Sequence, residues 1–379
     1  MELLVGLRDY VLPFLVILSV VVFVHEMGHF QVARWNGVRI ETFSIGFGPE
    51  IFGWTDRSGT RWKVGLMPLG GYVKMFGDAD PASATVDTSV EMTPEEKATA
   101  FHYKKLWQRV AIVAAGPAAN ILFAIIVFTL MFATVGQPIT PPVVGEVVAG
   151  GAAERGGLKA GDRIVGIDGT HIGQFSEIQH RVMLSDGSPM NLLIERDGGQ
   201  ISLSVAPKMS EITDNFGNVR RTPLLGIRVS GALQVMVRHG PVAALSAALT
   251  QTYEVAEGAL VSVGQMIAGT RGSEDLGGPL RIAQFSGQAA RSGIANFITF
   301  IAFLSVNLGL INLFPVPLLD GGHLVFYAAE AVLGRPLNER AQEFGLRIGL
   351  VLVLGLMLFA TWNDLVHLKV FDYVGRLIQ

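Results

Sequence analysis

The chain contains no cysteine in its 379 residues. No disulfide can therefore brace any part of it, and no thiolate can serve as a nucleophile or metal ligand. Charge is scarce as well. Asp, Glu, Lys and Arg make up 16% of the residues, against about a quarter in ordinary soluble domains. Lysine and arginine number 29 and the acids 32, with no long run of either sign, so the electrostatic footprint of a nucleic-acid binder is missing. Ionic chemistry is left to a small set of histidines and carboxylates.

Apolar residues take the place of charge. Half the residues are hydrophobic and the mean hydropathy is +0.44. Stretches at about 10–33, 110–135, 294–319 and 348–362 are uncharged or nearly so, and a helix of about 20 apolar residues spans a bilayer. The expected fold class is a polytopic α-helical membrane protein with about four transmembrane helices and an inserted β-rich domain. Basic residues set its orientation. Nine of them (Arg34, Arg39, Lys97, Lys104, Lys105, Arg109, Arg335, Arg340 and Arg347) flank the loops between spans one and two and between spans three and four. Five (Arg8, Arg281, Arg291, Lys369 and Arg376) lie on the other side. The positive-inside rule makes the first set cytoplasmic and leaves region 136–293 outside.

That outer region reads as a domain. "QPITPP" (Gln137–Pro142) is a stiff exit from the membrane. The runs "VVGEVV", "RIVGIDG", "NLLIERDG" and "ISLSVAP" follow, short and β-type, punctuated by glycine turns. "GLKAGDRIVGIDG" (Gly157–Gly169) resembles the signature of bacterial PDZ domains, which predicts one such domain over 143–207. Region 208–293 follows, with an amphipathic helix expected over about 241–269. The membrane part is thereby split into halves at 1–135 and 294–379. Within the first half, "RWKVGLMPLGGYVKMFGD" (Arg61–Asp78) has strand-type residues on both sides of Pro68-Leu69-Gly70-Gly71, which predicts a hairpin turning there.

The first span ends in His25-Glu26-Met27-Gly28-His29. An ionisable group in hydrocarbon costs several kcal/mol unless it is paired or bound, and the fourteen residues before His25 carry no charge. On a helix, residues i and i+4 share a face, so both imidazoles can reach one ion while Glu26 sits about 100° round. Two histidines do not complete a catalytic zinc site, which has three protein ligands and one open position. Without cysteine, the third must be a carboxylate or another histidine. The third apolar stretch ends in "NLFPVPLLDGGH" (Asn312–His323), where Asp320 follows an apolar run. Spans one and three run in the same direction, so His25, His29 and Asp320 lie in the same leaflet. Pro315 and Pro317 prevent a regular helix there, and Gly321 and Gly322 are expected to allow close approach to an ion.

H-E-x-x-H in the first span, N-x-x-P-x-P-x-L-D-G at Asn312–Gly321 and "AGPAAN" at Ala115–Asn120 together resemble the site-2 protease family of zinc intramembrane metalloproteases. "SIGFGPE" (Ser44–Glu50), "MPLGGYVKM" (Met67–Met75) and "DLGGPLRIA" (Asp275–Ala283) extend the resemblance over nearly the whole chain. It points to the bacterial branch that acts on anti-sigma factors, with one PDZ domain here where the best-known members have two. The resemblance implies zinc held by His25, His29 and Asp320, with Glu26 as general base. It implies a β-loop dipping into the membrane, with Gly71, Tyr72 and Val73 available for edge pairing with substrate, and Asn312 as a donor to the substrate backbone. For Asn120 a hydrogen bond between helices is expected. The implied setting is the bacterial inner membrane, with the active site towards the cytoplasm and the PDZ domain periplasmic. The implied partners are single-span membrane proteins of the anti-sigma-factor type, remnant signal peptides, peptide ends at the PDZ domain and the lipid bilayer, in regulated intramembrane proteolysis. The alternative is a catalytically inactive membrane scaffold whose PDZ domain binds peptide tails. Glu26 argues against it, since a binding-only site needs no base.

Overall fold

The computed structural model describes residues 6–78, 92–185, 187–213, 219–229, 235–269 and 277–367. Lys369 and Arg376, counted above for orientation, and Asp275 of the "DLGGPLRIA" stretch lie outside them. The chain divides into two compact units. One comprises Met1–Leu130, Leu245–Gly264 and Ser273–Gln379, the other Met131–Ala244 and Gln265–Gly272.

The first unit opens with helix α1 (Leu12–Trp35). It continues from a wider helical turn over Leu7–Val11, next to which Pro13 lacks the N–H that would bond back into that turn, and Asn36 ends it through its amide on the Val32 carbonyl. Strands β1 (Ile40–Thr55) and β2 (Arg61–Met75) follow, then the short helix α2 (Pro94–Thr99), closed by a capping box between Thr93 and Glu96. Helix α3 spans Leu106–Thr134 and contains Pro117. Among the described residues, four helical segments are long and apolar enough to cross a membrane, Arg8–Trp35, Leu106–Thr134, Ile294–Asn312 and Arg340–Val366. The third ends at Asn312 rather than near 319. Pro315 and Pro317 each remove a donor and force the chain out of the helix, and Leu318 takes φ 111, a conformation costly for a branched side chain.

The β1–β2 pair differs from the expected hairpin. The tight turn is at Asp56–Thr60, where Asp56 Oδ1 accepts hydrogen bonds from the backbone N–H groups of Ser58 (2.8 Å) and Thr60 (3.0 Å). The chain also bends between Gly65 and Gly71, but the limbs on either side of that bend do not pair with each other. Both pair with 42–45: Phe43 is opposite Trp62 on one side and Val73 on the other, and Ser44 opposite Lys63 and Tyr72. Residues 42–45 of β1, which run into "SIGFGPE", are the missing central strand. Its glycines (Gly46 φ 87, Gly48 φ 84) bend β1 so that it can be used twice. Residues 71–75 thereby become an edge. Beneath the sheet, Phe30, Phe43, Val73, Met75, Phe101, Ile112, Val113 and Tyr327 share one buried cluster.

In the second unit, strands β3 (Gln137–Ile139) and β4 (Glu146–Val147), helix α4 (Ala152–Arg155), strands β5 (Arg163–Ile167) and β6 (Thr170–His171), helix α5 (Phe175–Leu184) and strands β7 (Met190–Arg196) and β8 (Gly199–Val205) follow in order. Then come β9 (Lys208–Thr213), β10 (Val219–Leu224), β11 (Ile227–Arg228) and β12 (Val235–Val237). A four-stranded antiparallel sheet has the order β6-β5-β7-β8. The core of this unit reaches past residue 207: Leu225 is buried in it with Ile164, Leu192 and Val205, and β11 pairs Ile227 with Val147. A strand of two residues, arriving after the β9–β10 hairpin, leaves little pattern in the sequence from which to extend the domain that far.

The remaining helices are α6 (Pro241–Ile267), α7 (Pro279–Arg291), α8 (Ile294–Asn312), α9 (Asp320–Leu333) and α10 (Glu339–His367). Asp364 of α10, fully buried, accepts hydrogen bonds from the N–H groups of Gly278, Leu280 and Arg281, capping α7.

Candidate metal and catalytic site

Helix α1 carries His25 and His29 one turn apart on its buried face, each 8% exposed. Asp320 is the first residue of α9. His25 Nε2 and His29 Nε2 lie 3.2 Å apart, and Asp320 Oδ2 lies 3.1 Å from the first and 3.5 Å from the second. Ligand atoms about 2.0–2.1 Å from a tetrahedral ion sit roughly 3.3 Å from one another, so the three atoms form one face of a zinc-sized tetrahedron. Asp320 Oδ2 is buried and makes no hydrogen bond. An acceptor buried without a donor is costly, and a cation at this face would satisfy it. Two nitrogens and one carboxylate oxygen are a donor set that suits zinc.

The far nitrogens of both rings are held. His29 Nδ1 lies 2.8 Å from the Ile112 carbonyl of α3, so Nδ1 carries the proton and Nε2 keeps its lone pair for the cluster. His25 Nδ1 faces the side-chain amide of the fully buried Asn120, 3.3 Å from Nδ2, while Asn120 Oδ1 has no partner. Turning that amide by 180° gives Oδ1 to the Nδ1 proton and satisfies both groups. Sequence reasoning gave Asn120 a bond between helices. It does bridge α3 to α1, but its partner is a candidate ligand. Its backbone carbonyl also accepts from Ser305 Oγ at 2.9 Å.

Small residues make this closeness possible. A Cβ on Gly28 would overlap the Ala115 carbonyl, and one on Gly116 would overlap His29 Nε2. Gly116 is thus the floor of the site, and α3 can lie against both imidazoles only because it has no side chain there. Gly321 and Gly322 serve a different purpose from the one expected. A Cβ on either would strike the backbone of Leu313–Pro317, so they let the irregular loop fold back on the start of α9, which fixes Asp320.

Glu26, Gly71, Tyr72, Val73, Asn312 and Asp320 line a single cavity of about 560 Å³ together with both histidines. Asn312 Nδ2 is 3.5 Å from His25 Nε2, at the far end of α8. A Cβ on Gly71 would come within 3.1 Å of Glu26 Cγ, so glycine allows the strand edge to pass close beside that carboxylate. The candidate metal, catalytic and substrate-binding residues therefore border the same space, while Asn120 does not line it.

The profile of peptidase family M50 matches residues 13–356. The chain belongs to peptidase family M50. An Agrobacterium fabrum protein named as a zinc metalloprotease is 47% identical over 95% of this chain and 96% of its own length. The metalloprotease MmpA of Caulobacter vibrioides is 37% identical over 99% of this chain and 100% of its own. A solved PDZ domain from the SdrC-like protein of Listeria innocua aligns with 26% of this chain at 21% identity and a TM-score of 0.20, too weak a likeness to bear on the fold. This M50 member is a zinc-dependent metalloprotease of the site-2 protease type, and a membrane protein by its four long apolar helices.

Proposed function

We propose that this M50 protease is an intramembrane endopeptidase that cuts transmembrane segments of single-span proteins, from a site towards the cytoplasmic face of a bacterial inner membrane. The triangle of His25 Nε2, His29 Nε2 and Asp320 Oδ2 at the end of an apolar helix carries the reading. In this reading those three residues hold the zinc, which acidifies water and polarises a carbonyl when bound. Glu26 takes a proton from the attacking water and delivers it to the leaving nitrogen. Ile112 and Asn120 keep both imidazoles in the tautomer and orientation the site needs.

A substrate helix must unwind before attack, because its carbonyls are hydrogen-bonded and shielded. Residues Gly71–Val73 supply the replacement bonds. They pair with 42–45 on one side, and the opposite side borders the cavity, where an extended peptide can add as a further strand. Asn312 donates to the substrate backbone. The sheet that carries this edge exposes Phe47, Ile51, Phe52, Leu66 and Leu69, which suits a β-loop dipping into lipid.

The β-rich unit is read as a periplasmic PDZ domain. An apolar groove between α5 and Leu224–Ile227, bordered by Ile178 and Val182, accepts peptide ends, and the bulk of the domain screens substrates by the size of their outer portion. Anti-sigma-factor-type proteins already shortened outside the membrane fit this reading, as do remnant signal peptides. The test is cleavage of a single-span reporter with a short outer portion, in membranes, with the cut mapped by mass spectrometry. A cut inside the apolar segment is expected; cuts confined to the soluble flanks would overturn the reading.

A further inference from the structure

The cavity continues beyond the three candidate ligands. It runs past the strand edge into the apolar cluster beneath the sheet, where Val73, Met75, Phe101, Val113 and Tyr327 line it although each is under a tenth exposed. No step described so far uses this recess. It adjoins the ligands, because Val113 follows Ile112, whose carbonyl holds His29.

Strand geometry says what can enter. Side chains alternate along a strand, so Val73 and Met75 share a face and Tyr72 takes the other, where it stacks on Phe47 at 6.2 Å. A peptide added to this edge must alternate in the same way, and every second side chain falls on the face of Val73 and Met75. The walls there are aliphatic and aromatic. Two ion pairs lie against the floor, and each is closed on itself: Arg109, 4.9 Å from the Tyr327 ring, with Glu330 at 2.6 Å, and Asp78, whose Oδ2 accepts from the Met75 N–H at 3.2 Å, with His102 at 3.0 Å. An acidic or basic substrate side chain would be stripped of water with nothing to pair with. Alanine would leave the recess empty and forfeit its contacts.

We infer that this recess is a side-chain subsite receiving one large apolar residue, of the leucine, methionine or phenylalanine class, that flanks the scissile bond. The inference rests on the strand-edge reading of Gly71–Val73.

The test varies the two residues flanking the mapped bond of a cleaved reporter among Leu, Phe, Ala and Asp. Wild type should favour Leu over Ala by roughly ten- to a hundredfold at one of the two positions and reject Asp there. Val113→Phe fills the recess and should reverse the order, so that Ala is cut faster than Leu. Met75→Ala enlarges it and should raise Phe relative to Leu. Each readout is a ratio between substrates with one enzyme preparation, so a change in folding or expression cancels. Wild type that cuts the reporters without regard to either flanking side chain overturns the subsite alone, as does a Met75→Ala variant whose Phe-to-Leu ratio matches wild type. Wild type that cuts no reporter overturns the intramembrane reading as well.

Discussion

Asp162 in the β-rich unit and Asp320 in the membrane unit are buried in opposite ways. In the β-rich unit the buried carboxylate of Asp162 is fully answered: Arg196 donates to both of its oxygens at 2.7 Å, and the Lys159 N–H adds a third bond at 2.7 Å. Around it the core is apolar, built from residues such as Ile164, Ile167, Leu192 and Ile194. In the membrane unit, Asp320 Oδ2 meets two histidine nitrogens and is left without a hydrogen bond. Burial of a polar group is costly in both places. A group that is satisfied internally stabilises the fold, and one left open towards a shared point needs something from outside. The open oxygen marks the site because two histidine nitrogens share its point, not by its burial alone.

The contrast can be broken most severely at Glu26. Glu26→Gln should lower proteolysis by roughly 10²–10⁴-fold while the zinc content of the purified protein stays at the wild-type level, because neither histidine is touched. Turnover close to wild type in that variant would remove Glu26 from the chemistry. Next in size is Asn120→Ala, which frees the His25 ring and should weaken zinc affinity or activity by about 10–100-fold. Zinc titration against a chelator measures it, and Asn120→Asp, which restores an acceptor, should recover most of the loss. Gly116→Ala should have an effect of similar size, since its new methyl overlaps the imidazoles.

In the other unit the same kinds of change should alter stability and leave cleavage of a short reporter alone. Asp162→Ala leaves the Arg196 guanidinium without its carboxylate and the Lys159 N–H without an acceptor, and should lower the unit's melting transition. Burial pushes the Asp162 carboxyl up, but its bonds to Arg196 and Lys159 outweigh that and hold it below its ordinary value. Its contribution should therefore be complete above the unfolded value of about 3.9 and vanish only as pH falls through the lower folded value. The unit's melting point should consequently be flat between pH 6 and 8. Smallest is Gly156→Ala, whose methyl presses on the Val205 side chain and should cost about 1–3 kcal/mol as overpacking.

Legibility in the sequence followed how local each cause was. The Asp56 turn was readable in principle, as Asp-Arg-Ser-Gly is a turn signal, yet Pro68-Leu69-Gly70-Gly71 offered a stronger one. Nothing local tells that residues 42–45 lie between two limbs of the following strand, because that pairing is settled by partners about 20 to 30 residues away. Asn120 showed the same limit. Its place on an apolar helix was plain, but whether it meets a backbone carbonyl or a histidine depends on the rotation of α3 against α1.

The sequence by itself determined that this protein has about four apolar stretches of membrane-spanning type, that thiol chemistry is excluded, and that His25 and His29 share a helix face with Glu26 beside them. It also placed Asp320 just beyond the third apolar stretch. These follow from composition, hydropathy and helical periodicity, which act within a few turns of chain. Only the tertiary structure decided that three ligand atoms close to between 3.1 and 3.5 Å, that Gly116 makes room for them, and that residues 71–75 form an edge opening onto an apolar recess. Each depends on close packing between segments distant in sequence, where displacements of an ångström matter and no local pattern records them.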